Sequence, residues 1–238
     1  ELKEKLDKET IKKNAIEVIQ WEAVNGSMFL RTHADATDSS GNAVEALLEV
    51  KEAVKDFVDL QIVAFPQDCI FTRKGNARML EDAVEKGCDV VGGLPYIELS
   101  PEDGLRDVKY VFDLAEKYDR LIDIHCDENT DDQSRYVEAI ARETIVRDMQ
   151  GRVSASHTTA MHNYNNDFAQ KLIGNLKRAD LNIITNPFPN SCLQNRTDGY
   201  PRHRGHTRVD ELAAAGINVA AGSDDIMDPW YPMGKIGR

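Results

Sequence analysis

The feature that most constrains this chain is a repeat of an apolar strand followed by an amphipathic helix. Successive strands begin roughly 30 to 35 residues apart, which is the length of one strand–helix unit. The seven predicted strands cover residues 27–35, 60–67, 89–96, 120–128, 152–157, 181–186 and 217–225. The predicted helices cover residues 8–25, 42–56, 77–86, 105–118, 132–149, 164–178 and 208–215. No linker or composition shift marks a second domain, so the repeat predicts one α/β domain over 1–238.

Polar or titratable side chains stand at the ends of most of these strands. Those of greatest chemical interest are Gln67, His125, Glu128, His157 and Asp224. An open doubly wound sheet could hold seven strands, but a shared row of polar strand ends favours a closed TIM-type barrel with one mouth. A (β/α)8 barrel has eight strands, so the count predicts an incomplete barrel that lacks one unit.

The stretch 120–128 shows how such a strand end is built. Ile122 and its apolar neighbours predict a buried strand, and titratable groups follow directly. We expect Cys126 and Asp127 to point away from the mouth. Because strict alternation along a strand would place His125 and Asp127 on one face, the chain must turn for Glu128 to reach the site.

Composition narrows the class of partner. The chain has 29 basic and 41 acidic residues and a formal charge of −12, which argues against binding to nucleic-acid phosphates. It has no run of about 18 apolar residues that would predict a membrane span and no signal-peptide pattern. The four cysteines lack CxxC spacing and are predicted to be reduced thiols, which favours a cytoplasmic protein. We expect a small-molecule substrate, no nucleic-acid or membrane partner, and a homo-oligomer.

His125, His157 and Asp224 are candidates for a metal site because each ends a different strand. A hydrolytic metal needs neutral imidazoles and a carboxylate that leave one position open for water, whose pKa then falls to about 7. A single histidine at a strand end is usually structural. Spacing alone leaves the metal site and the structural alternative evenly balanced for the three together.

Four segments carry a family resemblance. They are Gln61-Ile-Val-Ala-Phe-Pro-Gln67, Ile124-His-Cys-Asp-Glu128, residues 154–165 (SASHTTAMHNYN) and residues 222–232 (GSDDIMDPWYP). In this order and spacing they resemble bacterial cytosine deaminases of the amidohydrolase superfamily, over nearly the whole chain. The resemblance implies a distorted (β/α)8 barrel that holds one divalent metal ion, Fe2+ or Zn2+.

The resemblance also implies roles for individual residues. His125 and Asp224 match metal ligands, and His157 matches a histidine that stabilises the attacking water without ligating the metal. Glu128 matches the acid that protonates a ring nitrogen, a step that lowers the barrier to attack on an aminopyrimidine. Asp224 can take the proton of the water and pass it to the departing ammonia.

The substrate pocket is implied in the same way. Gln67 matches the side chain that pairs with the amide edge of the pyrimidine, and a primary amide offers the donor and acceptor that this edge needs. Asp225 and Trp230 match the pocket wall near the leaving amine. We expect His33 to have a supporting or structural role. We expect His162 and the basic residues of 200–206 to be surface residues.

Two departures from the family bear on these roles. The family begins with a small β-rich domain and a first barrel strand with a His-x-His pair, and neither is in this sequence. We therefore expect a fragment, or a gene product truncated at both ends, that also lacks the C-terminal part. Ser223 stands where cytosine deaminases commonly have His, which leaves creatinine, isoguanine or triazines open as substrates.

The sequence therefore predicts a metal-dependent aminohydrolase that deaminates cytosine or a related amino-substituted N-heterocycle and releases ammonia. A cyclic-amide amidohydrolase is the alternative within the same chemistry. A catalytically inactive remnant of the fold is the alternative from another class, and the missing His-x-His pair favours it.

Overall fold

The fold is a single parallel sheet with helices packed on its outer side. The computed structural model describes residues 6–196, 199–200 and 205–226. The strand order in the sheet is the order in the chain. The strands are β1 Phe29–Asp35, β2 Asp59–Phe65, β3 Val90–Gly93, β4 Leu121–Cys126, β5 Val153–His157, β6 Asn182–Thr185 and β7 Val219–Ala221. All seven predicted strands are present.

Helices precede β1 and follow every strand up to β6. They are α1 Lys8–Val24, α2 Asn42–Val54, α3 Asn76–Lys86, α4 Pro101–Tyr118, α5 Tyr136–Val146, α6 Asn166–Arg178, α7 Pro187–Leu193 and α8 Val209–Ala214. Two short 3-10 turns lie at Pro95–Ile97 and Thr159–Asn163. Each helix returns the chain to the start of the next parallel strand, as a parallel sheet requires.

The sheet curls, and one ion pair shows by how much. Arg31 of β1 donates from Nη1 to Asp123 Oδ2 of β4 at 2.8 Å and to Ser154 Oγ of β5 at 3.2 Å. In a flat sheet β1 would lie more than 10 Å from β4 and β5, because neighbouring strands are spaced by about 4.8 Å. The bond therefore crosses the interior of a partial barrel. The predicted fold class, an incomplete TIM-type α/β barrel, is confirmed.

The core lies between the sheet and the helices. Its largest fully buried side chains include Ile62, Leu80, Phe112, Ile122, Ile140, Leu172 and Leu176. Burial of each such side chain stabilises the fold by about 1.5–3 kcal/mol relative to exposure. The sheet also needs small residues, because a Cβ atom on Gly92 of β3 would lie 2.8 Å from the Ala64 carbonyl oxygen.

Several predicted boundaries were wrong: the helix predicted over 132–149 spans Tyr136–Val146, the strand predicted over 217–225 spans Val219–Ala221, and three other differences lie at prolines. The helix predicted from residue 105 begins at Pro101, where Ser100 caps it by accepting a hydrogen bond from Asp103 N–H. The strand predicted to run to residue 96 ends at Gly93 and continues into a 3-10 turn. The segment after residue 186, predicted as loop, contains α7, because Pro187 occupies its first turn, where proline lacks no needed donor.

Two further predictions concern thiols and membranes. Cys69, Cys88, Cys126 and Cys192 are all free, as predicted, and the first three are buried. Within the described ranges, no helix combines the length and the apolar character that a membrane span requires.

Candidate active site

The candidate site is a cavity of about 530 Å³ at the carboxyl ends of the strands, between β1 and the segment after β7. Its apolar wall includes Phe65, Leu94 and Leu193. The polar side chains at the strand ends that line it include His33, Gln67, Tyr96, His125, Glu128, Ser223, Asp224 and Asp225. An apolar cavity with a few convergent polar groups is the common form of a small-molecule site.

A larger groove, of about 840 Å³, lies on the outer surface between α4 and α5. Leu105 and Val146 are exposed there. None of the described residues that line it is a histidine or a cysteine. We therefore place the chemistry in the smaller cavity at the strand ends.

Three predicted site residues converge from different strands. His125 lies in β4, His157 ends β5, and Asp224 follows β7. Asp224 Oδ1 is 3.9 Å from His125 Nε2 and 3.8 Å from His157 Nε2. The two imidazole ring centroids are 4.6 Å apart. The structure thus brings together two imidazoles and a carboxylate, the ligand types that divalent transition metals bind.

Unusual backbone conformations aim two of these side chains. His157 has a φ of 69° and Asp224 a φ of 65°, in the left-handed region that non-glycine residues seldom adopt. Each such residue costs about 1–3 kcal/mol and persists only where surrounding contacts hold it in place. Next to His157, Thr158 N–H donates to the Cys126 carbonyl at 3.0 Å and Thr158 Oγ1 to Thr207 Oγ1 at 2.8 Å. These bonds hold the strained end of β5 in place.

The turn that brings Glu128 to the mouth is centred on Asp127. Its φ is 53°, so the strand alternation ends there. The buried Asp127 carboxylate points away from the site and accepts hydrogen bonds from Tyr136 N–H at 2.9 Å, Val137 N–H at 2.8 Å and Ser134 Oγ at 2.7 Å. Asp127 therefore fastens the end of β4 to the start of α5, and Glu128 projects into the cavity.

Glu128 is surrounded by hydrogen-bonding groups. Tyr96 donates its hydroxyl hydrogen to Oε2 at 2.8 Å, and Asn190 Nδ2 donates to Oε1 at 3.2 Å. His157 Nδ1 is 3.2 Å from the same Oε1. Burial raises the pKa of Glu128 to about 7 and the negative charge of Asp225 adds to this, whereas the Tyr96 hydrogen bond opposes it. A carboxyl group with this pKa can give or take a proton near neutral pH.

His157 is buried and held from both sides by amides. Asn190 Nδ2 lies 3.0 Å from its Nδ1, and Asn186 Nδ2 lies 3.2 Å from its Nε2. Burial, with a smaller effect from His33, lowers the pKa of His157 to about 3, so the ring is neutral at pH 7. Neither asparagine was predicted from the sequence. The sequence signal that could have indicated both asparagines was the run Asn186-Pro-Phe-Pro-Asn190 directly after a predicted strand.

The donor set fits a metal ion at one of two possible positions. His125 Nδ1 is buried and has no hydrogen-bond partner among the described residues, while its Nε2 faces Asp224. Burial lowers the pKa of His125, which keeps the imidazole neutral as metal binding requires. The other possible group, His33, Asp123 and His125, fits poorly because Arg31 and Ser156 already occupy the Asp123 carboxylate.

The predicted substrate residues lie in different places. Gln67 and Asp225 line the same cavity as Glu128. Trp230 lies outside the described residues, and so do residues 201–204 of the basic loop. His33 packs its ring against those of His125, at 4.7 Å between centroids, and Phe65, at 5.2 Å. This placement agrees with a supporting role for His33.

With this geometry established, comparison with known proteins is informative. The profile of the Amidohydrolase family matches residues 15–236. The chain belongs to the amidohydrolase family. This amidohydrolase chain is 31% identical over 229 residues to the N-isopropylammelide isopropyl amidohydrolase of Pseudomonas sp. (strain ADP), covering 95% of the chain and 53% of that relative. It is 32% identical over 216 residues to the pterin deaminase of Rhizobium rhizogenes, covering 89% of the chain and 48% of that relative.

Solved structures give the same family. The amidohydrolase chain matches 5-methylcytosine deaminase from Klebsiella pneumoniae, liganded with 5-fluorocytosine, with a TM-score of 0.95 and 44% identity over 98% of the chain and 57% of that protein. The family resemblance predicted from the sequence is confirmed. The chain spans about half the length of the relatives it matches.

Proposed function

We propose that this chain carries the active site of a metal-dependent aminohydrolase that deaminates cytosine or a related amino-substituted N-heterocycle and releases ammonia. The observation that carries the proposal is Glu128, whose pKa is raised to about 7, in one cavity with His125 and Asp224 and 3.2 Å from the buried His157 ring. The names of the relatives, a 5-methylcytosine deaminase and a pterin deaminase among them, support heterocycle deamination.

His125 and Asp224 are the residues proposed to hold one divalent ion, Fe2+ or Zn2+. When bound, such an ion makes a water molecule nucleophilic near neutral pH. The remaining chemistry falls to side chains of this chain. Asp224 takes a proton from the attacking water and passes it to the departing ammonia, and His157 donates a hydrogen bond to that water.

Glu128 supplies the proton that the ring needs. Attack at the amine-bearing carbon pushes electron density onto the adjacent ring nitrogen, and a carboxyl group close to that nitrogen lowers the barrier by protonating it. Tyr96 and Asn190 each donate to one Glu128 oxygen, which fixes the plane of the carboxyl group. Gln67 is proposed to pair with the amide edge of the ring, and Asp225 and Trp230 to form the wall beside the leaving amine.

A Glu128→Gln variant tests this assignment. We expect the loss of most turnover, by about 10²- to 10⁴-fold as for other general acids, with metal content unchanged. Ammonia release from cytosine and metal per chain are measured together. Glu138→Gln, on α5, is the matched control and is expected to keep both. Loss of metal from Glu128→Gln with turnover of the remaining loaded protein intact would contradict the role of Glu128.

Assays on several substrates separate the alternatives. Ammonia release from an aminopyrimidine or aminotriazine supports deamination, whereas ring opening of a cyclic amide without ammonia supports the other amidohydrolase reaction. A chain that binds a pyrimidine but no metal would support the inactive remnant. The cytoplasmic location, the homo-oligomer and the identity of the metal remain predictions.

A further inference from the structure

Glu98 lies between β3 and α4 and binds the connection between two other elements. The residue is buried, with an exposed fraction of only 9%. Its Oε1 accepts hydrogen bonds from Ile70 N–H at 2.7 Å and from Phe71 N–H at 2.9 Å, and its Oε2 accepts one from the Thr72 hydroxyl at 2.9 Å. One carboxylate thus binds three successive residues of the connection between β2 and α3.

The same connection carries Gln67. This residue lies in a turn of residues 66–69, the Gln67 turn, which Cys69 N–H closes by donating to the carbonyl of the first residue at 2.9 Å. Cys69 has a φ of 63°, a left-handed conformation that persists only where surrounding contacts hold it. Ile70, which Glu98 binds, follows Cys69 directly. Glu98 therefore holds the end of the turn that places Gln67 in the cavity.

The segment that contains Glu98 also reaches the proposed acid. Tyr96, two residues before Glu98, donates its hydroxyl hydrogen to Glu128 Oε2 at 2.8 Å. Between these two residues, the Ile97 carbonyl accepts a hydrogen bond from the Cys69 thiol at 3.5 Å. Three successive residues therefore contact both Glu128 and the end of the Gln67 turn.

We propose that Glu98 is a positioning residue that holds the Gln67 turn at a fixed distance from Glu128. A single heterocycle has to meet both groups, because Gln67 is proposed to pair with its amide edge and Glu128 to protonate a ring nitrogen. A carboxylate suits this task since its two oxygens offer about four acceptor positions, enough for two N–H groups and a hydroxyl. The hold on the turn depends only on the contacts of Glu98, whereas its effect on substrate binding rests on the proposed function.

Amide hydrogen exchange tests the hold on the turn without metal or substrate. Glu98→Ala leaves Ile70 N–H and Phe71 N–H without this acceptor, and we expect both to exchange at least about tenfold faster. Glu98→Gln keeps an oxygen for the two N–H groups and an amide donor for the Thr72 hydroxyl, so it should keep most of the protection. Unchanged protection in Glu98→Ala would overturn the proposal.

Two further variants make the exchange test specific. Asp89→Ala removes another carboxylate that accepts a backbone hydrogen bond, from Ile62 N–H at 2.8 Å, and is the matched control, which should leave exchange at Ile70 unchanged. Thr72→Val removes only the hydroxyl partner of Glu98 and should give an exchange rate at Ile70 between those of wild type and Glu98→Ala. If Glu98→Ala does not fold, a wild-type rate in Thr72→Val overturns the proposal in its place.

Kinetics of the metal-loaded chain test the effect on substrate binding. We expect Glu98→Ala to raise KM for cytosine by about 5- to 10-fold, as the loss of one hydrogen bond would, with a much smaller change in kcat. Glu98→Gln should restore the wild-type KM. General damage to the fold lowers the active fraction, and with it kcat, but leaves KM unchanged. A fall in kcat without a rise in KM would therefore contradict the positioning role.

A double-variant cycle tests whether Glu98 acts through Gln67. Gln67→Ala removes the amide itself, so Glu98→Ala should raise KM little further in that background. Independent, multiplying effects on KM would refute the proposal. A chain with the expected exchange pattern but no ammonia release from any amino-substituted heterocycle would reject the proposed function and leave the hold of Glu98 on the Gln67 turn standing.

Discussion

The middle and the edges of the sheet differ in burial. All residues of β3 and β5 are buried, and most of β2 and β4 are too. In β1 a single residue is buried, and in β7 none is. His125, His157 and Glu128 belong to the buried middle, whereas Asp224 follows the exposed edge. Three of these four site residues are thus fixed by a packed core, and the fourth depends on the position of an edge strand.

The largest expected contrast is in packing. Ile122 in β4 is fully buried, and we expect Ile122→Ala to lower the free energy of unfolding by about 4 kcal/mol, through lost burial and the cavity left behind. Val219 in β7 is only partly buried, so Val219→Ala should cost less than about 1 kcal/mol. Urea unfolding of both variants measures the difference. Equal losses would mean that the edge is as well packed as the middle.

The next expected effect concerns the ion pair between Arg31 and Asp123, which joins the edge strand β1 to β4 in the middle of the sheet. Arg31→Leu leaves the Asp123 carboxylate buried without its ion pair, and we expect a loss of about 3 kcal/mol in the free energy of unfolding. Arg31→Leu with Asp123→Leu should recover part of this loss, because no buried charge then remains. Arg152→Leu breaks an exposed pair with Asp119 and is the control, with an expected cost below about 1 kcal/mol. A double variant as unstable as the single one would contradict this account.

Glu128 gives the middle of the sheet a dependence on pH. Its pKa is raised from 4.5 to about 7 by burial, so between these values the folded state holds a proton that the unfolded state has lost. Stability conferred on the fold by this group is therefore present below pH 4.5 and is lost as pH rises through 7. We expect Glu128→Gln to be more stable than wild type by about 3 kcal/mol at pH 8 and equally stable near pH 4.5.

Chemical denaturation at a series of pH values measures this difference, and Glu138→Gln should show no such trend. A difference in the free energy of unfolding between Glu128→Gln and wild type that does not change with pH would show that the carboxyl group titrates normally.

The smallest expected effect is on metal affinity at the exposed edge. We expect Asp224→Asn to weaken Zn2+ binding by at least about tenfold, or 1.4 kcal/mol, because an amide oxygen is a poorer ligand than a carboxylate. Asp225→Asn, which changes the neighbouring carboxylate, should leave the affinity nearly unchanged. Competition with a coloured chelator measures both dissociation constants. A larger effect from Asp225→Asn than from Asp224→Asn would indicate that Asp225, and not Asp224, is the metal ligand.

Most of the fold could be predicted because it depends on local patterns. Each strand is a short apolar run, and helices such as α6 bury one apolar face, so their periods are visible in the sequence. Several of the boundary errors, though not those at α5 and β7, lie at prolines. Pro101 and Pro187 both begin helices, and the serine cap before Pro101 was an available signal.

The site could be predicted only in part. His125, His157 and Asp224 were visible because each is a titratable residue at the end of an apolar strand. The contacts of Asn190 and Tyr96 with Glu128 were not, because they join segments that are distant in the sequence. For Asn190 the local signal was the run Asn186-Pro-Phe-Pro-Asn190 after a strand, and this run does not show what the amide contacts.

The strand order has a consequence for how the chain folds. Every strand pairs with the strand that precedes it in the sequence, from β1 through β7. No strand must therefore wait for a segment from the far end of the chain, because each pairs with its predecessor one strand–helix unit away, as Phe29 of β1 does with Asp59 of β2. During synthesis each new strand can dock on a sheet that has already emerged from the ribosome. The strained end of β5 is then held first by the bond from Thr158 N–H to the Cys126 carbonyl and completed only when Thr207, which follows β6, reaches Thr158 Oγ1.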